Sequence, residues 1–120
     1  MHELSIACSI VETVEENLPN ENSRATKIYL KIGKMSGVVK DALLFSFDIA
    51  TQDTRVFGAT LEIEELPIIV YCEKCHKNSE LGNPPIFRCE HCGELTGNLI
   101  QGKEMELVSI EVEDGKATNS

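Results

Sequence analysis

Tryptophan is absent from this 120-residue sequence, and aromatic residues make up only 5% of it. An interior without large rings has to be built from Ile, Leu and Val, and a hydrophobic share of 42% is enough for that. Basic residues are scarce: 11 Lys and Arg stand against 20 Asp and Glu, giving a net charge of −9. That argues against the basic face with which nucleic-acid binders displace phosphate counterions. It also disfavours anionic membrane surfaces. A basic protein patch or a cation suits the sign better. Long apolar runs are missing too. The longest near the start, "LSIACSIV", is closed off by Glu12 and is too short to span a bilayer. No basic segment precedes it, so no signal peptide is expected and the chain is read as cytoplasmic, where thiols stay reduced. Its 5 cysteines then point to metal or redox chemistry instead of a disulfide framework.

What is present is α+β in character, on a length that suits one domain or one domain with a small module. From Glu3 onward, Leu4, Ala7, Val11, Val14 and Leu18 recur at spacings of three and four, with Ile6 and Ile10 widening the stripe into an amphipathic helix. "LPNENS" is a turn, and "TKIYLKIG" alternates Ile28, Leu30 and Ile32 with Lys27, Tyr29 and Lys31 as a half-buried strand ending at Gly33. A second helix follows, with Val38, Ala42, Phe45 and Ile49 expected inward and Val39, Leu43 and Phe47 broadening that face. "ATLEIEEL" is a second strand up to Pro67, and "EMELVSIEVE" a third, with Val108, Ile110 and Val112 on one face. These elements define a domain over 1–67 and 102–113, with a different module inserted over 68–101 and a disordered tail over 114–120.

The insert holds the strongest local signal. Cys72-x-x-Cys75 and Cys89-x-x-Cys92 are separated by 13 residues. Each C-x-x-C turn folds two thiolates onto one cation, and two such turns complete a tetrahedron, with zinc favoured over iron. Four protein ligands leave no open position, so the site is structural, and metal binding would supply much of the insert's folding energy. His76 and His91 adjoin it. Both read as exposed loop residues, with replacement of a thiolate as the alternative. Cys8, the unpaired cysteine, is expected to be a small buried hydrophobe beside the first helix's stripe.

The chain opens Met1-His2-Glu3. A bulky second residue leaves the initiator methionine in place, so its amine, the His2 amide nitrogen and the His2 imidazole can close two fused chelate rings on one metal. Glu3 offers a fourth donor through its carboxylate or backbone nitrogen. Flat, nitrogen-rich sets of this kind select Ni(II) or Cu(II). The plain alternative is that Glu3 is a first-turn acid favoured by the helix dipole.

"MHELS" opening a helix, "IGKMSGVVKDALLFSF" at a strand-to-helix passage, the paired C-x-x-C motifs and "GKEMELVSIEVE" together resemble the HypA/HybF hydrogenase nickel-incorporation proteins, from Met1 to about Glu113. The resemblance implies a nickel metallochaperone that delivers Ni(II) to the nickel–iron hydrogenase large subunit. Its nickel ligands would be Met1, His2 and Glu3, and its structural zinc ligands Cys72, Cys75, Cys89 and Cys92. It also implies a three-stranded sheet packed with two helices, plus an inserted zinc-ribbon-like module. The implied partners are the nickel-handling accessory GTPase, the large-subunit precursor and, in some bacteria, urease maturation proteins, with the chain as a monomer or weak homodimer. The family often carries an acidic or small residue after "LKIG". Here it is Lys34, so no carboxylate role is carried over to that position.

The alternative class is a zinc-ribbon protein-interaction or nucleic-acid module without nickel transfer, which the acidic charge weakens. An enzyme is not expected, because no nucleophile pair or phosphate loop is visible and no residue is assigned a catalytic role.

Overall fold

The computed structural model describes residues 2–113. In chain order they form α1 (Glu3–Glu16), β1 (Arg24–Gly33), α2 (Lys40–Ala50), β2 (Thr60–Leu66), β3 (Ile68–Cys72), β4 (Lys77–Leu81), β5 (Asn98–Gln101) and β6 (Met105–Glu113). The fold is α+β, with one three-stranded sheet ordered β2-β1-β6 and a second ordered β4-β3-β5. The chain divides into two compact units, residues 2–30, 38–64 and 106–113 in one and residues 31–37 and 65–105 in the other. The tail expected over 114–120 lies outside the described residues. Among the described residues, no helix is long and apolar enough to cross a membrane.

In the first unit, α1 buries Ile6, Ala7, Ile10, Val11 and Val14, the three-and-four spacing that one helical face demands. It ends at Glu16, before Leu18. The amide of Asn17 donates to the Val14 carbonyl at 3.0 Å and its side chain to the Thr13 carbonyl at 2.7 Å, so carbonyls orphaned by the helix end find partners. Arg55 reinforces that end. Its guanidinium donates to the carbonyls of Asn20 and Glu15, and its backbone amide to the Glu15 carboxylate at 3.1 Å. A cation here complements the negative pole of the helix.

Helix α2 packs on α1, and it differs from the expected orientation. Leu43 and Phe47 are buried, whereas Val39, Phe45 and Ile49 are exposed. The segment "DALLFSFDIA" is apolar around most of its circumference, so periodicity alone could not choose the face that meets α1. Cys8 is corrected in the same way: it is exposed, because the buried stripe of α1 passes through Ala7 and Val11 and leaves position 8 outside.

Strand β1 alternates as expected, with Ile28, Leu30 and Ile32 buried and Lys27, Tyr29 and Lys31 partly exposed. The Tyr29 hydroxyl donates to the Glu111 carboxylate at 2.7 Å, and the Lys27 ammonium lies 5.5 Å from the Tyr29 ring centre. β6 is an edge strand of its sheet, and in it Val108 and Val112 are exposed instead of forming an inward face, with Ile110 half-buried.

The second unit is built on β3, which pairs antiparallel with both β4 and β5. Ile68, Val70 and Leu81 form its core, with Met35, Phe87 and Leu99 packed against them. The turn after β1 is bonded into this unit: the Lys34 amide donates to the Leu66 carbonyl at 3.0 Å and the Met35 amide to the Gly102 carbonyl at 2.7 Å. So small an apolar cluster leaves room for a metal as a further source of folding energy.

Candidate metal centres

The end of β3 delivers Cys72, and the turn to β4 delivers Cys75. Cys89 and Cys92 come from the loop before β5. The four Sγ atoms lie within 4.8 Å of one another, and Cys72 and Cys92 are 3.7 Å apart. Sulfurs at the corners of a tetrahedron with Zn–S bonds of about 2.3 Å stand about 3.8 Å apart, so the group is already near the size a zinc ion requires. Cys72 and Cys89 are buried, Cys75 is intermediate and Cys92 is exposed.

The two turns have the same construction. In the first, the His76 amide donates to the Cys72 carbonyl at 2.8 Å. In the second, the Gly93 amide donates to the Cys89 carbonyl at 2.9 Å. The residue after each second cysteine is left-handed, His76 at φ 56° and Gly93 at φ 79°. The conformation costs a glycine nothing, but a histidine must be held in it. Tyr71 contributes to that hold, its hydroxyl meeting His76 Nδ1 at 3.0 Å. The sequence reading of His76 as a plain loop residue missed its equivalence to Gly93, which superposing the two C-x-x-C turns would have revealed. An exposed Lys74–Glu94 ion pair of 3.3 Å bridges the two turns, and the buried Ser79 hydroxyl accepts the Glu90 amide at 3.1 Å.

The electrostatics of the four thiols are uneven. Cys89 is pulled down to about 6, chiefly by the backbone amide of Cys92, with the His91 amide adding to it. Cys75 is pushed up to about 12, chiefly by its hydrogen bond with the Cys92 thiol and then by desolvation. One sulfur ionises readily and another resists, which is what four crowded thiols do before a cation neutralises them. Among the described residues, the cluster with metal-holding geometry consists of these four cysteines. Both histidines are exposed, and neither belongs to that cluster.

At the other candidate site, Met1 lies outside the described residues. His2 is exposed, sits at the N-cap of α1 in extended backbone, and makes no capping bond with its side chain. Its carbonyl accepts the Ile6 amide at 3.2 Å. Glu3 is the acid of the helix's first turn. Its carboxylate accepts the backbone amide of Val39 at 3.2 Å, a contact across 36 residues that nothing in the sequence announced. That bond is the chief reason its carboxyl is held below the ordinary carboxylate value.

A family model described as "Hydrogenase/urease nickel incorporation, metallochaperone, hypA" matches residues 1–112. The hydrogenase maturation factor HypA of Roseiflexus sp. (strain RS-1) is 49% identical over 115 residues, which cover 95% of this chain and 94% of that protein. Its counterpart from Desulfosudis oleivorans is 39% identical over 116 residues, covering 95% of this chain and all of that protein (100%). The solution structure of the Ni metallochaperone HypA from Helicobacter pylori shares the fold, with a TM-score of 0.61 at 24% identity over 92% of this chain and 97% of that one. A second solution structure of a HypA protein gives 0.67 at 25% identity, over 95% of this chain and 98% of that one.

Proposed function

The chain belongs to the HypA family of hydrogenase/urease nickel-incorporation metallochaperones, and from that premise we propose that it binds Ni(II) at its N-terminus and delivers it to the nickel–iron hydrogenase large subunit. The observation that carries the proposal is His2, exposed at the very start of α1 with its imidazole not spent on capping the helix. The nickel ligands are the Met1 amine, the His2 amide nitrogen and imidazole, and Glu3 through its carboxylate or backbone nitrogen. This set suits Ni(II) in preference to zinc.

The role is transfer, not catalysis. A site at a chain start exchanges its ion with a partner that offers better ligands, whereas an enclosed site would retain it. Affinity falls as pH drops, because the amine, the amide and the imidazole must all lose protons to coordinate. Zinc, held by Cys72, Cys75, Cys89 and Cys92, is structural: it fixes the inserted module over 68–101 and does not exchange with nickel, since thiolate and nitrogen sets prefer different metals. The nickel-binding part comprises 1–67 and 102–113. The partners are the accessory GTPase that handles nickel and the large-subunit precursor, all in the cytoplasm.

Calorimetric nickel titration of the zinc-loaded chain tests this, beside His2→Ala and a variant with one residue added before Met1. The wild type binds about one Ni(II), and both variants lose it. Equal binding by all three would place the nickel ligands elsewhere in the chain.

A further inference from the structure

We propose that Glu3 serves nickel handling as a positioning residue, its carboxylate latching the start of α1 to the first amide of α2 and so holding the His2–Glu3 backbone ready to wrap an incoming ion. The inference rests on the N-terminal nickel reading. Its physical basis is the Glu3 Oε2 to Val39 amide bond of 3.2 Å.

Three observations carry it. Chain starts fray unless something ties them down. Here the His2 side chain does not cap α1, and the first main-chain bond of the helix runs from the Ile6 amide to the His2 carbonyl. At this end of α1, the Glu3 carboxylate makes a tie that reaches outside the helix. Second, its partner is well placed to hold a carboxylate: Val39 is the N-cap of α2, where main-chain N–H groups and the positive pole of the helix meet an anion. Third, α1 and α2 pack on each other, so the latch, although exposed, joins elements already held together. Wrapping consecutive backbone nitrogens around one ion requires their peptide units to be ordered. Ordering them beforehand reduces the entropy lost on binding and slows release. A carboxylate that acted as a metal ligand through Oε2 would instead have to give up Val39 when nickel arrives. The two roles therefore respond differently to changes on the Val39 side.

The experiment measures Ni(II) release into excess chelator by stopped flow, together with the nickel d–d absorption spectrum. It uses the full zinc-loaded chain and the variants Glu3→Ala, Glu3→Gln, Val39→Pro and the Glu3→Ala/Val39→Pro double, with His2→Ala as reference. Val39→Pro removes the donor while keeping Glu3, and its φ of −90° needs a shift of about 25° to reach the value of about −65° that proline fixes. Positioning predicts release about three- to tenfold faster in Glu3→Ala and Val39→Pro, an unchanged d–d spectrum, and no further loss in the double variant. Glu3→Gln, which keeps an oxygen acceptor at the same reach, recovers most of the loss. Independently of nickel, hydrogen exchange at the Val39 amide accelerates in Glu3→Ala. The proposal is overturned if Glu3→Gln is as impaired as Glu3→Ala with an altered spectrum while Val39→Pro behaves as wild type, for then the carboxylate is a ligand. It is equally overturned, with the N-terminal site intact, if His2→Ala loses nickel and the latch variants release it at the wild-type rate. If His2→Ala keeps its nickel, the reading on which the latch rests falls as well.

Discussion

Replacing Gly33 with alanine should cost this small protein a large part of its stability. A Cβ at Gly33 would stand 2.1 Å from both the carbonyl carbon and oxygen of Gly102 and 2.6 Å from the Lys103 nitrogen, where ordinary contact begins at 3.4 Å. Every clashing atom is backbone, so no side chain can rotate out of the way. Gly102 is itself buried, and a Cβ built on it would stand only 3.3 Å from Ile68 of the second unit's core, so it has little room to retreat in that direction. The Gly33 amide donates to the Glu104 carbonyl at 2.8 Å and the Met35 amide to Gly102 at 2.7 Å, so separating the two segments stretches both bonds. Overpacking of this kind costs about 1–3 kcal/mol, and one weakened buried hydrogen bond adds about 0.5–1.5 kcal/mol. A total of about 2–4 kcal/mol is a large share of the roughly 5–15 kcal/mol that holds most domains together. Equilibrium urea unfolding of the zinc-loaded chain, followed by far-ultraviolet circular dichroism, reads it directly as a midpoint about 1–2 M lower. Gly97→Ala is the control. Its Cβ would meet nothing within 4 Å, so that variant should be neutral or gain about 0.4–1 kcal/mol from a stiffer unfolded chain. Equal midpoints for the two variants would refute the reasoning.

Two further outcomes follow from the same structure. Removing zinc with a strong chelator, or substituting the buried Cys89 with serine, should collapse the amide dispersion of Ile68, Val70 and Leu81 while leaving that of Val14 and Leu43 in place, since the second unit has the smaller core; retained dispersion in the chelated second unit would contradict this. Tyr29 should ionise above its ordinary value, because its hydroxyl donates to the Glu111 carboxylate, so the stability this bond contributes is present below pH 10 and lost as pH rises through the raised value. In a Tyr71→Phe background Tyr29 is the remaining tyrosine, and ultraviolet titration should show its midpoint falling on Glu111→Gln; an unmoved midpoint would rule out Glu111 as the cause.

The sequence by itself determined what short-range pattern can carry. The alternation of Ile28, Leu30 and Ile32 announces β1, and the spacing of Ala7, Val11 and Val14 announces α1, because backbone periodicity sorts side chains onto faces without reference to the rest of the chain. The four cysteines were legible for the same reason: two residues between thiols define a turn, and a turn defines a pair of ligands. His2 and Glu3 drew notice as donors through adjacency alone. The tertiary structure decided which of two apolar faces of α2 meets α1, leaving Phe45 and Ile49 in solvent. It also made β6 an edge strand, set Cys8 outside, and brought Gly33 against Gly102. Above all, it joined the Glu3 carboxylate to the amide of Val39. Each of these depends on segments distant along the chain becoming neighbours, and no local pattern records that, because the energy that selects them exists only once the partner segment is in place.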